Sequence, residues 1–530
     1  MKKYKYKEYF SHVIPCLGYG ILSGSVTGAI IFLFKLGAKY LEELSRFIYS
    51  NALNSPLHTI AIFVSLIGFA FLMAFLHKKL PEVKGGGIPR SEGILRGILT
   101  FRWFTTLIGT VFGSFISFFC GLPLGSEGPA VLMGTSAGAM CGAGKGKRSA
   151  WNRYVMTGGA GAGFAIATGS PLSAMLFALE EIHKRFTPML ILSVSTSVLS
   201  ATYVNSLLSR ACGLSTELFH IGKIGSFELS HVGYLLLLGL LVAAAVGVFN
   251  EAIELFSRFI KRIGKVIPEW AMLVVVFLIT GVAGIFFADG IYSGHHLIVE
   301  AATVYMPLTY LLLIFVFRFV MMLFTTGSGA TGGIFLPTLA VGAVISAVFA
   351  RLLIAIGMPA ELFSATVFLG MCAFIGGTLR APLTATVLFL EFTGVFTNLF
   401  YVAIVVFVVN FVIELLNQKP FYDRVLEGME KKQNEGKEAK LNNFEMKVSA
   451  GSFVVGKAVR DVMWPSSSVV TEIRRADDLD GSRKDLDHDG EKLLLPGDTV
   501  IIRIKYFDEE SIKKHLPELV GNDAPIKVIS

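Results

Sequence analysis

Long apolar runs separated by short polar stretches fill the chain up to about residue 420. Runs such as Leu57–Leu76 and Leu399–Leu416 approach or reach the roughly 20 residues that a helix needs to cross a bilayer. Others, such as Pro382–Phe392, are shorter and begin or end beside glycine or proline. Short, interrupted hydrophobic segments are typical of broken membrane helices. The pattern therefore predicts an all-α polytopic membrane protein built partly from broken helices.

Composition agrees with this class. Of 530 residues, 53% are hydrophobic and 16% are charged, whereas soluble domains carry roughly 25% charged residues. Mean hydropathy is +0.64. The lysines within Met1–Glu8 predict a cytoplasmic N-terminus, because cytoplasmic segments of membrane proteins are rich in Lys and Arg. The net charge of +8 forms no basic face with interleaved aromatic residues, so we predict no nucleic-acid partner.

Motifs for metal or covalent chemistry are missing from the sequence. The five cysteines have no CxxC spacing, and neither a GxSG nucleophile turn nor an HExxH zinc motif occurs. We therefore predict no metal ion, no cofactor and no enzymatic activity.

One acidic residue interrupts the apolar sequence in the segment Leu124–Pro129, which reads LGSEGP. Glu127 is flanked by Gly125 and Gly128, which let the backbone leave regular geometry. Pro129 suits the first turn of a helix. An ionisable residue at membrane depth is costly and usually faces a cavity or a pathway. We predict that Glu127 lies just before a helix N-terminus inside the membrane; the alternative is a connecting loop at the water interface.

Two segments of the chain repeat at a nearly constant spacing. Gly125–Gly134 aligns with Gly333–Gly342 through a glycine, a proline and a second glycine. Pro171–Glu180 aligns with Pro382–Glu391 through proline, leucine, alanine and the closing glutamate. Internal repeats of this kind predict two structural halves with one plan. The alignment leaves open whether the halves are parallel or inverted.

Both repeated turns are predicted to open helices, at Pro129 and Pro337. A helix N-terminus offers unpaired N–H groups and about half a positive charge, which together form an anion site without lysine. Partial charges hold an anion weakly enough to release it, as conduction requires. Gly85–Gly87 and Gly333–Phe335 are therefore candidate linings of an anion path; a plain surface loop is the alternative for the first. Glu127 could occupy the path when charged and leave it when protonated.

Four ordered motifs resemble those of the CLC family of chloride channels and proton-coupled anion exchangers. GSEGP at 125–129 resembles the family's GREGP or GKEGP, and GSGATGGIFLP at 327–337 is similar to GSGxxGGxFxP. GGGIP at 85–89 resembles GSGIP, and KPFY at 419–422 resembles a segment that carries a pore tyrosine. The likeness covers roughly residues 10–428. It implies a homodimer with one pore per subunit, each built from two inverted-topology repeats of broken, tilted helices.

The resemblance also implies roles for single residues. Glu127 resembles the external gating glutamate, and Glu181 resembles the internal glutamate that transfers protons. The anion would be bound by Gly86, Gly87, Ile334, Phe335 and the Tyr422 hydroxyl. Family channels usually have an apolar residue where Glu181 stands, so this acid favours an exchanger. The alternative for Glu181 is a solvated helix end.

Two residues depart from the family pattern. Gly86 stands where the family usually has a serine, and losing that hydroxyl removes one hydrogen bond, worth on the order of 1 kcal/mol. The preference among anions is therefore open, although Glu181 argues against fluoride, whose exchangers typically lack this acid. Ser126 replaces the usual basic residue beside the gate, which predicts a weaker attraction of anions at the outer mouth.

Beyond residue 428 the composition becomes that of a soluble domain. We predict a membrane domain at 1–428, a charged linker at 429–441 and a small cytoplasmic α+β domain at 442–530. Leu495–Arg503 and Gly456–Asp461 resemble the TrkA-C or RCK-C domain of potassium-transport regulators, which implies a regulatory module that could bind a small ligand; a passive assembly domain is the alternative. Predicted elements are strands at Phe444–Ser449, Ser468–Arg474, Lys492–Leu495 and Thr499–Lys505 and a helix at Glu509–Leu519.

Together these observations predict a multi-pass plasma (inner) membrane protein, with both termini cytoplasmic, that exchanges chloride for protons. One alternative is a passive chloride channel, voltage-independent or gated by pH. Another is a membrane sensor with a vestigial pore.

Overall fold

The computed structural model describes residues 2–142, 147–216, 218–219, 222, 224–264, 266–304, 306–475, 490–521 and 526–529. Within these residues it contains eighteen α-helices and one four-stranded sheet. The first eight helices are α1 Lys2–Ser50, α2 Pro56–Lys79, α3 Gly87–Leu95, α4 Trp103–Phe119, α5 Glu127–Gly142, α6 Lys147–Thr168, α7 Pro171–Phe177 and α8 Pro188–Ala211. The next eight are α9 Val232–Ile263, α10 Glu269–Phe286, α11 His295–Thr303, α12 Leu308–Ser328, α13 Phe335–Ala355, α14 Phe363–Leu379, α15 Pro382–Thr393 and α16 Leu399–Leu415. Two further helices, α17 Phe421–Gln433 and α18 Glu509–Val520, belong to the C-terminal part.

The order of the helices repeats. The repeated turns open the fifth helix of each set of eight, α5 and α13, and the repeated prolines open the seventh, α7 and α15. The third helices, α3 and α11, have nine residues each. Nine helices of the described chain are long and apolar enough to cross a membrane, and α4 and α15 are shorter apolar helices. The predicted class, a two-repeat helical membrane protein with broken helices, is confirmed.

Local sequence signals begin several of these helices. Ser55 accepts a hydrogen bond from the His58 N–H, and Pro56 follows as the first residue of α2. Thr187 and Pro188 start α8 in the same way. An oxygen-bearing side chain satisfies a free N–H at the helix start, and proline has no N–H to lose there.

Glycines bring α5 and α6 into backbone contact. A Cβ added to Gly134 would lie 2.1 Å from Gly159 O, and a Cβ added to Gly159 would lie 2.2 Å from Gly134 O. A Cβ on Gly163 would lie 2.1 Å from Ala130 O. Any larger residue would push the helices apart. The glycine series Gly158–Gly163 is therefore a close-packing surface between membrane helices, as the sequence predicted.

The glutamate that closes the repeated segment of the first half caps a helix of the second half. Glu180 accepts hydrogen bonds from Leu383 N at 3.0 Å and from Thr384 N at 2.8 Å. The Thr384 hydroxyl donates a third bond at 2.7 Å. These are free N–H groups at the start of α15, and a carboxylate is well suited to a helix N-terminus.

The equivalent glutamate of the second half returns the same contacts. Glu391 accepts bonds of 2.8 Å from both Leu172 N and Ser173 N and one of 2.6 Å from the Ser173 hydroxyl. Each half therefore supplies the cap for the short helix of the other half. This reciprocity relates the halves by an approximate two-fold axis, as inverted-topology repeats require.

The C-terminal part forms an antiparallel sheet with α18. Its strands are β1 Lys440–Lys447, β2 Ser468–Arg474, β3 Thr499–Tyr506 and β4 Lys527–Ile529, in the order β2-β3-β1-β4. The predicted strand at Lys492–Leu495 is wrong, because only one isolated bridge, Ala458 to Leu493, forms there. β4 was not predicted. α17 extends to Gln433, so helix occupies the first part of the predicted linker at 429–441.

Side chains of α6 attach this C-terminal part to the membrane helices. Arg153 Nη1 donates to Trp464 O at 3.1 Å, and the Tyr154 hydroxyl donates to Asp461 O. Both acceptors are backbone carbonyls, so the contact depends on the fold of the C-terminal part rather than on single side chains there.

A buried lysine lies at the same contact. Lys457 Nζ lies 2.9 Å from the centroid of the Phe453 ring and 4.7 Å from that of Trp151, which belongs to α6. Burial lowers the pKa of Lys457 well below its usual value. The ring faces oppose this shift, because they attract a cation.

Candidate anion pathway

The two repeated turns meet at their glycines. Gly125 N lies 2.7 Å from Gly333 O, and Gly333 N lies 2.8 Å from Gly125 O, which forms an antiparallel bridge between equivalent residues. The helices that follow start at Glu127 and Phe335, not at the prolines as predicted. Proline is tolerated as the third helical residue because the N–H groups of the first turn have no partner within the helix.

The start of α3 reaches the same point. α3 begins at Gly87, and a Cβ there would lie 2.1 Å from Gly128 O. A Cβ on Gly128 would lie 2.8 Å from Gly333 Cα. The N-termini of α3, α5 and α13 therefore converge, and their partial positive charges add at one place. Gly87 is buried in this convergence, so the surface-loop alternative is wrong for this residue, whereas Gly85 and Gly86 are partly exposed.

Glu127 is buried at this convergence, with only 1% of its surface exposed. A Cβ on Gly125 would lie 2.2 Å from Glu127 Oε2 and 3.2 Å from Leu336 Cβ. The carboxylate therefore folds back over Gly125 towards the first turn of α13. Among the described residues Oε2 has no hydrogen-bond partner, and Oε1 has the Ser126 hydroxyl at 3.5 Å. The interface-loop alternative for Glu127 is wrong.

Three of the predicted anion donors, Ile334, Phe335 and Tyr422, are buried. In the described chain the N–H groups of Ile334 and Phe335 make no hydrogen bond to a backbone carbonyl. The Tyr422 hydroxyl is buried and also has no partner among the described residues. Buried donors without an acceptor are unfavourable unless a ligand or water satisfies them.

Phenylalanines surround the start of α13. The Phe335 ring packs edge-on against Phe164 of α6, with centroids 5.0 Å apart, and lies 6.0 Å from Phe177 of α7. Phe164 and Phe177 stack on each other at 4.2 Å. The sequence analysis missed both rings, because an aromatic residue within an apolar helix carries no signal of its own.

Glu181 is also buried, with 2% of its surface exposed, so it is not a solvated helix end. It lies in a π-helical turn, Ala178–Ile182, which continues α7. One extra residue in such a turn changes which side chain faces inward, and π-turns are frequent at functional sites. Glu181 Oε1 has no hydrogen-bond partner in the described chain.

A charged cluster adjoins Glu181. Lys184 Nζ lies 2.5 Å from Asp423 Oδ1 and 3.2 Å from Glu92 Oε1. Arg96 Nη1 lies 2.7 Å from Glu92 Oε1. Glu92 is fully buried, whereas Lys184 and Asp423 are partly exposed. The cluster therefore connects the surroundings of Glu181 with water. Glu92 was missed, although an acid five residues after Gly87 in apolar sequence could have indicated it.

No three His, Cys, Asp or Glu side chains form a metal-binding group in the part of the chain that the structure describes.

Comparison with known proteins identifies the family. A family model described as voltage gated chloride channel matches residues 68–414. The H(+)/Cl(-) exchange transporter ClcA of Salmonella gallinarum (strain 287/91 / NCTC 13346) is 30% identical over 388 residues, which are 72% of this chain and 80% of that protein. The ClcA protein of Salmonella paratyphi B (strain ATCC BAA-1250 / SPB7) gives the same values.

Solved structures share the fold. A slow cyanobacterial Cl-/H+ antiporter superimposes with a TM-score of 0.72 at 27% identity and covers 79% of this chain and 99% of its own. A eukaryotic CLC transporter gives a TM-score of 0.66 at 20% identity, covering 78% of this chain and 74% of its own, which shows the fold alone.

The fold and the converging helix N-termini define a two-repeat membrane protein with a buried acid at the centre. The chain belongs to the voltage-gated chloride channel family, the CLC family of the sequence resemblance.

Proposed function

We propose that this chain exchanges chloride for protons across a membrane, with Glu127 as the gate of the anion path and Glu181 as the inner proton acceptor. The observation that carries the proposal is the burial of two acids, each with an oxygen that has no hydrogen-bond partner among the described residues, together with a buried Tyr422 hydroxyl that also has none there. The similarity to proteins named H(+)/Cl(-) exchange transporters supports it.

The gate works by competition for one place. The ionised Glu127 carboxylate is an anion that lies beside the N-terminus of α13, where an incoming anion would also bind. Protonation removes the attraction of the carboxylate for the helix N-terminus. The side chain can then leave, and chloride takes its place against the N–H groups of Ile334 and Phe335 and the Tyr422 hydroxyl.

The inner proton route starts from the charged cluster. Glu181 is buried and lies three residues before Lys184, which pairs with Glu92 and with the partly exposed Asp423. A proton taken up by Glu181 has to reach Glu127 through the interior of the protein, because both acids are buried. A passive channel needs no acid at position 181, so the buried Glu181 favours exchange.

Transport by purified protein in liposomes tests this function. Vesicles loaded with chloride are diluted into low chloride, a potassium ionophore is added, and external pH and chloride are followed together. We expect external pH to rise as chloride leaves. Glu181→Val and Glu127→Ala should abolish the proton movement while chloride flux continues, and Glu361→Gln, at an exposed site, should leave both unchanged. Chloride flux without proton movement in the unmodified protein would contradict exchange and favour a passive chloride channel. The absence of flux of any anion would favour a membrane sensor.

We also propose the assembly and location that the family resemblance implies: a homodimer in the plasma (inner) membrane, with both termini cytoplasmic. Residues 442–530 would be a TrkA-C-like regulatory module, held against α6 by its contacts with Arg153 and Tyr154. Because α6 packs on α5, which starts at Glu127, a ligand that shifts the module could alter the gate. Chemical cross-linking in native membranes tests the dimer, and transport by a chain that ends at residue 433 tests the regulation.

A further inference from the structure

A cavity of about 510 Å³ adjoins the gate. Glu127, Ser126 and Leu336 line its inner end, and one face of α1 lines a side wall. With the N-terminus in the cytoplasm, α1 ends on the outer side, so this cavity is the outer vestibule. An anion that approaches Glu127 from outside passes through it.

Most of the charges on α1 in this vestibule are already balanced. Lys39 Nζ lies 3.8 Å from Glu43 Oε1, and Arg46 Nη2 lies 2.8 Å from Glu42 Oε1. Each pair is one helical turn apart on α1. Lys35 also lines the vestibule, and it has no carboxylate within ion-pair distance among the described residues.

Lys35 is held in place by the end of α6. Its Nζ lies 2.8 Å from Ile166 O and 3.4 Å from Ala167 O. These carbonyls belong to the last turn of α6, which ends at Thr168, where carbonyl groups lack helical partners and carry negative partial charge. An ammonium group has three donors. Two of them point to these carbonyls, so one remains for the vestibule.

We propose that Lys35 binds a small monovalent anion in the outer vestibule, as the first site on the path before Glu127. The proposal rests on the transport function proposed above and specifies its outer step. A lysine ammonium is a compact point charge, which suits a single spherical anion better than the planar guanidinium of arginine does. The vestibule is open to water, so the anion is not trapped.

The charge balance couples this site to the gate. With the two α1 pairs neutral, Lys35 and Glu127 are the remaining opposite charges among the lysines, arginines and acids of the vestibule, whose wall also contains the imidazoles of His295 and His296. When Glu127 is ionised, it offsets Lys35; when Glu127 is protonated, one positive charge is left, and an anion is attracted as the gate becomes free to move. Lys35 thereby supplies from α1 the cation that Ser126 does not supply from the gate motif.

The first test separates binding from turnover. Chloride uptake is measured over a range of external chloride in unmodified protein and in Lys35→Met, Lys35→Arg and the double variant Lys39→Met/Glu43→Gln. We expect Lys35→Met to raise the KM for external chloride about fivefold, as removal of one nearby charge in a water-filled site implies, with kcat changed less than twofold. Lys35→Arg should retain most of the affinity. The double variant Lys39→Met/Glu43→Gln, which removes one balanced pair and keeps the net charge of the vestibule, is the matched control and should stay within twofold in KM.

A merely structural role of Lys35 as a cap of α6 predicts something else. Lys35→Met would then lower kcat and the melting temperature together and leave KM unchanged, which would overturn the proposal. An equal rise in KM in the charge-neutral double variant Lys39→Met/Glu43→Gln would also overturn it, because the effect would then not depend on the charge of Lys35.

The second test does not depend on transport. Crystals of the unmodified protein and of Lys35→Met are soaked in bromide, and anomalous scattering locates the ion. A bromide peak within about 4 Å of Lys35 Nζ that is lost in Lys35→Met supports the site; a peak that persists in the variant, or none in either, overturns it. If the unmodified protein moves no chloride, the exchange proposal fails, and the bromide peak alone decides about the site.

Discussion

The two halves of the membrane domain share one architecture but carry different functional side chains. Counting from the paired glycines Gly125 and Gly333, Glu127 of the first half corresponds to Phe335 of the second. The residues that follow the reciprocal capping glutamates are Glu181 in the first half and Phe392 in the second. Both candidate proton-carrying acids therefore lie in the first half, and both equivalent positions in the second half are phenylalanine.

This difference shows which residues serve the fold and which serve the chemistry. Glycines that allow contact, prolines in the first turn and the capping glutamates occur in both halves, because both must build the same broken helices. The two acids Glu127 and Glu181, in contrast, have no acidic counterpart in the second half. The second half contributes backbone N–H groups at Ile334 and Phe335, which need no particular side chain but require a helix start at the centre.

The largest expected contrast comes from the paired glycines. In Gly333→Ala the new Cβ would lie 2.6 Å from Gly128 N and 3.0 Å from Gly125 O, and backbone at the centre of the fold cannot retreat. We expect little folded protein, measured as the loss of the monodisperse peak in size-exclusion chromatography.

Gly125→Ala should behave differently, because its Cβ meets mainly the flexible end of Glu127. We expect folded protein in which the carboxylate is displaced and chloride flux depends less on pH. Equal loss of folded protein in both variants would contradict this distinction.

Removing either capping glutamate should cost about the same, roughly 2–3 kcal/mol of unfolding free energy, because each removal leaves two N–H groups and one hydroxyl without their acceptor. Glu180→Ala and Glu391→Ala are compared by thermal unfolding in detergent. The corresponding glutamine variants keep an oxygen acceptor and should lose less unfolding free energy than the alanine variants. A cost confined to one of the two would show that the caps are not equivalent.

Phe392 and Glu181 should separate stability from coupling. Phe392→Leu removes an edge-on contact with Phe219, whose centroid is 4.9 Å away, and should cost about 1 kcal/mol. The ratio of protons to chloride should remain that of the unmodified protein. Glu181→Leu should instead retain stability and lose proton movement. A changed ratio in Phe392→Leu would mean that the second half takes part in proton transfer.

The smallest stability effect is expected at Gly86. It precedes α3 with φ −75°, and a Cβ there would have only two neighbours, each at 3.8 Å. Gly86→Ser should fold normally and gain a few tenths of a kcal/mol as an N-cap. The hydroxyl would also restore an anion donor, so the chloride-to-nitrate flux ratio should change.

The control for Gly86→Ser lies in the other half. Gly294 precedes α11, the equivalent helix, but has φ +89° and would place a Cβ 2.5 Å from Arg318 Nη2. Gly294→Ser should destabilise by more than about 1 kcal/mol, since both backbone conformation and space oppose it. An equal loss of stability in Gly86→Ser would contradict the conclusion that there is room for a side chain at Gly86.

The two-repeat architecture could be predicted from the sequence because it depends on residue types that few others can replace. Glycine, proline and a closing acid at matching spacing predicted the repeat, and the lone acid at 127 predicted the centre. The starts of α5 and α13 were predicted two residues late, since proline indicates a first turn but not which residue of that turn it occupies. The strand at Lys492–Leu495 failed because its backbone hydrogen bonds with residues 456–459 form only one isolated bridge and do not extend into a ladder.

Residues that act across long sequence distances could not be predicted. Glu180 and Glu391 are recognisable as equivalents, but no local pattern shows that each caps the helix of the other half. Lys35 and Glu127 are brought together only by the packing of α1. Glu92 and Lys184 meet in the same way. Such pairs depend on the tertiary arrangement, which periodicity and motif spacing do not encode.

The reciprocal caps have a consequence for the biosynthesis of the chain. The bond from Thr384 N to Glu180 spans 204 residues, and that from Ser173 N to Glu391 spans 218. At 5–20 residues per second, the ribosome needs roughly 10 to 40 s to extend the chain over that distance. During this time the start of α7, already in the membrane, lacks its acceptor. The first half therefore cannot mature alone, and a nascent chain that stalls before residue 391 would present an incomplete helix start to membrane quality control.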